Sequence, residues 1–143
     1  MTQTNVEPAH PSPHRGKVGL SGLLYGLIAA PAAWVVSQIA NSTLAQEACF
    51  PGTQPLAQPA FGGVHVVQAA IMVAALLIGV SAAAVSLTTW RLTRNERSGD
   101  QHALLSVGEG RSRFMALAGL LTSLGFALGI LFSIPALLFV PAC

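Results

Sequence analysis

No aspartate, glutamate, lysine or arginine occurs at positions 18–45, 64–90 or 114–140 of this chain. A carrier that moves protons across a membrane relies on such ionisable groups within its spans, so their absence argues against proton-coupled transport. Only 4 histidines are present, and no pair of them lies within the apolar stretches to hold a haem from both sides. Lysine occurs once, at Lys17, and the arginines form no stripe, so no nucleic-acid surface is expected. A nucleophile set beside a base, or a glycine loop shaped for phosphate, does not stand out. Neither catalysis by this chain alone nor a bound cofactor is expected. Charged residues make up 8% of the chain, against about 25% in soluble domains. A surface with so little charge suits lipid better than water.

What charge there is has a pattern. The 7 basic residues fall in two short blocks, Arg15–Lys17 and Arg91–Arg113. Basic residues collect on the cytoplasmic side of a bilayer. The expected fold is therefore an all-α integral membrane three-helix bundle, with the N-terminus cytoplasmic and the C-terminus outside. Spans are predicted at about 18–45, 64–90 and 114–140. An outer loop at 46–63 and an inner loop at 91–113 join them, and residues 1–17 form a polar, proline-bearing cytoplasmic tail. Pro11 and Pro13 forbid the helix that would align His10 with His14. The first span is too long for a signal peptide and follows a long polar lead, so a retained helix is expected. Glu47 occupies a position where a lipoprotein signal ending at Cys49 would need a small residue. Pro31 leaves the carbonyl of Leu27 without its donor and should bend the first helix. Spans of roughly 40 Å exceed a hydrocarbon core of about 30 Å, so tilt or protruding ends are expected. Bacterial inner membrane is the expected location.

In lipid, small and polar residues mark helix interfaces, because apolar surface alone does not drive association. On the second span His65, Gln68, Met72, Ala75, Gly79, Ala82 and Ser86 share one face. Gly119, Thr122, Phe126, Gly129 and Ser133 share one on the third. The first span carries Trp34, Gln38 and Asn41 on one side and Gly22 with Gly26 nearly opposite. Such a two-faced helix suits contact with its own bundle and with a foreign one. The expected packing residues are Gly22, Gly26, Gln38, Asn41, Gln68, Gly79, Gly119, Gly125 and Gly129.

Cys49 and Cys143 both fall on the outer, disulfide-permissive side of this topology. A bond between them closes a loop of about 95 residues, worth roughly 4 to 5 kcal/mol in the chain-entropy account and less for a chain already anchored in a membrane. Two other readings stay open: free thiols with a redox role, or a soft-metal site for copper or zinc made by Cys49, His65 and Cys143. Phe50, Leu56 and Phe61 suit an outer loop that lies along the membrane.

Three stretches together resemble a family of small three-span bacterial membrane proteins. They are Ala33-Trp34 with Gln38 and then Cys49-Phe50-Pro51-Gly52; Arg113-Phe114 with Ala116-Leu117-Ala118-Gly119 and Ser123; and the terminal Pro141-Ala142-Cys143. The resemblance covers most of residues 20–143. It implies a link to haem-copper terminal oxidases, as an accessory subunit or assembly companion. The expected partners are the lipid bilayer and other integral membrane subunits. Two alternatives are a copper-handling or thiol-redox assembly factor and a small pore-forming oligomer.

Overall fold

The computed structural model describes residues 19–93, 109–139 and 143. The expectations for the tail at 1–17 and for most of the inner loop lie outside the described residues. Three helices account for nearly everything else: α1 (Leu20–Cys49), α2 (Val64–Thr93) and α3 (Glu109–Phe139). Each is long and apolar enough to cross a membrane. No strand occurs among the described residues.

Every helix packs against both others. The contacts set their directions. Gly26 of α1 lies by Ser86 of α2, while Asn41 lies by Gln68, so α1 and α2 are antiparallel. Gly119 of α3 also lies by Ser86, and Ala127 by Gly79, so α2 and α3 are antiparallel as well. Arg91 and Arg113 therefore sit at one end of the bundle, and the α1–α2 connection at the other.

The interior is made of small side chains. Gly26, Ala30 and Ser37 of α1 are buried, as are Ala75, Gly79, Ala82, Ala83 and Ser86 of α2. From α3 come Ala116, Gly119, Ser123 and Ala127. Leu23, Met72 and Ile130 are the larger exceptions. Bulky residues such as Val36, Val66, Leu77, Leu121 and Phe132 face outward. A soluble core sorts side chains the other way. Where the surroundings are as apolar as the interior, close backbone approach and hydrogen bonds hold helices together instead.

The helices depart from expectation at their ends. α1 continues from 45 to Cys49 because Gln46, Glu47 and Ala48 are tolerated in a helix and Ala48 and Cys49 pack against Val64. α2 runs on to Thr93, whose hydroxyl bonds back to the carbonyls of Thr89 and Trp90. α3 starts at Glu109, ahead of the predicted start near 114. α1 passes through Pro31 without interruption, and α3 through Pro135.

Two predicted faces are corrected. α1 is not two-faced around Gly26: Leu23, Gly26, Ala30 and Ser37 are all buried in one stripe, and Gln38 is exposed. On α3 the buried residues are Ala116, Gly119, Ser123, Ala127 and Ile130, one position on from Thr122, Phe126 and Gly129. Ala127 and Ile130 carry no polar mark, so nothing in the sequence separated them from lipid-facing neighbours. On α2 the buried face holds Gln68, Met72, Ala75, Gly79, Ala82 and Ser86, with Val64 taking the place predicted for His65.

Candidate packing sites and the disulfide end

The tightest region lies where all three helices meet, at Gly26, Ser86, Gly119 and Ser123. A methyl group on Gly26 would collide with Ser86 Oγ. On Gly119 it would stand 2.9 Å from that same oxygen and 3.2 Å from both the carbonyl carbon and oxygen of Gly26. Backbone atoms cannot swing aside as a side chain can, so any side chain at 119 would push against α1. The approach is bonded as well as packed: Ser123 Oγ donates to the carbonyl of Gly26 at 2.7 Å, fully buried. A further interhelical bond joins Tyr25 to Ser81 at 2.6 Å. Ser81 spends its one proton on the carbonyl of Ile78, so the tyrosine hydroxyl is the donor.

Past this junction the contacts loosen. Gly79 faces Ala127 at 3.5 Å and Ala30 at 3.9 Å, ordinary van der Waals distances. Gly22 reaches only a methyl of Val85, at 3.9 Å. Nearer the other end, buried Gln68 donates through Nε2 to the backbone carbonyl of Asn41 at 3.4 Å, a long bond. The side-chain Oδ1 of Asn41 is buried without a partner. Of the three predicted amides, Gln68 and Asn41 thus come together, but through one backbone oxygen rather than side chain to side chain, and Gln38 stays exposed.

At the far end the structure joins Cys49 to Cys143, with Cα atoms 5.6 Å apart and sulfurs 2.12 Å apart. Cys49 is buried and Cys143 exposed. The bond ties the exit of α1 to the chain beyond α3. His65 does not join them; it is exposed and borders a separate hollow of about 270 Å³ with Gln58, Pro59 and Phe61. The alternative of a metal set made by Cys49, His65 and Cys143 does not form: its sulfurs are bonded to each other, and among the described residues no cluster of three metal-ligating side chains occurs.

Gly125 and Gly129 behave unlike the other packing glycines. Both are exposed, and a side chain added at either would meet nothing within 4 Å. They form the floor of an open groove of about 370 Å³, with Leu121, Thr122, Trp34 and Phe126 around it. Trp34 and Phe126 make its aromatic wall, ring centres 5.5 Å apart and planes tilted by 57°. Gly129 thus faces away from the bundle, and Thr122, half-buried, lies at the edge of the buried face of α3.

No protein-family profile matches this chain, and comparison with curated proteins and with solved structures returns no match either.

Proposed function

We propose that this chain is a multi-pass subunit of the bacterial inner membrane, without a catalytic site of its own, that acts as an accessory or assembly companion of a larger membrane respiratory complex. The resemblance to three-span companions of haem-copper terminal oxidases favours that class of host. The groove over Gly125 and Gly129 carries the reading. Two exposed glycines lie in an open groove beside a half-buried aromatic pair. Small residues of this kind are what lets a foreign helix come close in lipid. Arg91 and Arg113, at the end opposite the disulfide, support a cytoplasmic N-terminus and an outer C-terminus. Copper binding would need reduced sulfurs, and their bond to each other favours the companion role over that reading.

Purification in mild detergent tests the proposal. Oxidase subunits are expected to travel with the chain and to be lost when Gly125 and Gly129 are replaced by leucine. A solitary monomer in every fraction would sink the reading. A reporter fused after Cys143 is expected to be active only outside the cytoplasm.

A further inference from the structure

The segment between α1 and α2 has no regular secondary structure, yet it is tied down. The amide of Leu56 donates to the carbonyl of Cys49 at 2.9 Å, and that of Ala60 to the carbonyl of Ala48 at 2.8 Å. These bonds satisfy carbonyls that a helix end leaves without intrahelical donors, and they fold the segment back across the end of α1. Gly63, with φ at 82°, makes the turn into α2 that a side chain would resist. Its carbonyl accepts from Val66 and Val67.

A loop held this firmly has the means to bury its apolar side chains, and it does not. Phe50 is 57% exposed, Phe61 43% and Leu56 38%. No formal charge occurs between Glu47 and Arg91 to hold this end of the molecule in water. The exposed apolar surface is also continuous with that of the helices: Val66 and Val67, within a turn of Gly63, face outward too.

We propose that residues 50–63 form a lipid-seated apron. Phe50, Leu56 and Phe61 enter the headgroup and upper acyl region of the leaflet beside the disulfide, while Thr53 and Gln54 stay on the water side. The partner is phospholipid. Phenylalanine and leucine side chains bury apolar area at the headgroup–acyl boundary, and a neutral segment meets no electrostatic penalty there. The apron would hold the Cys49–Cys143 end at a set depth in the membrane. This inference rests on the helices crossing a bilayer, as in the reading above.

Photocrosslinking separates the two. The analogue benzoylphenylalanine is placed at Phe50, at Phe61 or, as reference, at Leu77, which is 64% exposed in the middle of α2. Each full-length variant is reconstituted in phosphatidylethanolamine–phosphatidylglycerol vesicles, and intact Cys49–Cys143 bonding reports folding. Lipid adducts at Phe50 and Phe61 within about threefold of those at Leu77 are expected, since all three would face lipid. Adducts at Leu77 with roughly tenfold fewer at both loop positions would overturn the apron alone. No lipid adducts at Leu77 would overturn the membrane reading and the apron with it. Phe61→Trp offers a second measurement. Fluorescence added above that of Trp34 and Trp90 should be quenched most by bromines high on the acyl chain, and absence of quenching would contradict the proposal.

Discussion

Gly119 and Gly125 lie less than two turns apart on one helix, and their surroundings could hardly differ more. Gly119 presses against the backbone of α1 and the hydroxyl of Ser86, in a junction closed by the bond from Ser123 to Gly26. Gly125 faces open space beside Trp34 and Phe126. One glycine holds the bundle together, and the other leaves a recess on its outer surface. Residue type and spacing say little about which role a membrane glycine takes; the rotation of its helix decides.

The contrast can be broken most forcefully at the junction. Gly119→Leu should cost about 3 kcal/mol or more, because the side chain must displace the backbone of α1; unfolding in mixed micelles is the measurement. Stability unchanged within error would mean that the helices do not meet there. Removing the disulfide with Cys49→Ser and Cys143→Ser should cost about 2 kcal/mol, less than the chain-entropy figure because the membrane already restrains the reduced chain. That loss should be independent of the junction, so combining it with Gly119→Leu should give nearly additive effects. Coupling above about 0.5 kcal/mol would show that the two ends of the bundle communicate.

Smaller changes sharpen the comparison. Ser123→Ala should lose about 0.6 kcal/mol, the typical worth of an interhelical hydrogen bond in a membrane, since the Gly26 carbonyl keeps its place in the α1 ladder. Gly125→Ala should leave the isolated chain within about 0.5 kcal/mol of the parent, whereas Gly119→Ala should cost 1 kcal/mol or more by roughly the same assay. Equal losses at the two positions would erase the distinction between a packed and an open glycine.

Much of the architecture was legible in the residues. The three uncharged runs and the two basic blocks marked three membrane-length helices, and the buried face of α2 could be read from Gln68, Gly79 and Ser86 because polar and small residues repeat along it. α3 was less legible: Ala127 and Ile130 are buried without a polar mark, while Gly129 carries the mark of packing and is exposed. His65 was misread for a related reason. A polar residue at a helix end has water within reach and needs no place inside.

Composition and charge placement were enough to establish how many long apolar helices there are and roughly where they lie, because a formal charge is costly in hydrocarbon and so collects outside such runs. Only the folded chain decided which glycines touch, that Ser123 reaches the carbonyl of Gly26, and that the two sulfurs meet rather than enclosing a metal with His65. Those outcomes depend on rotations of helices whose every side is apolar. In lipid such rotations are set by close contact between particular atoms and not by any drive to hide one face from the solvent.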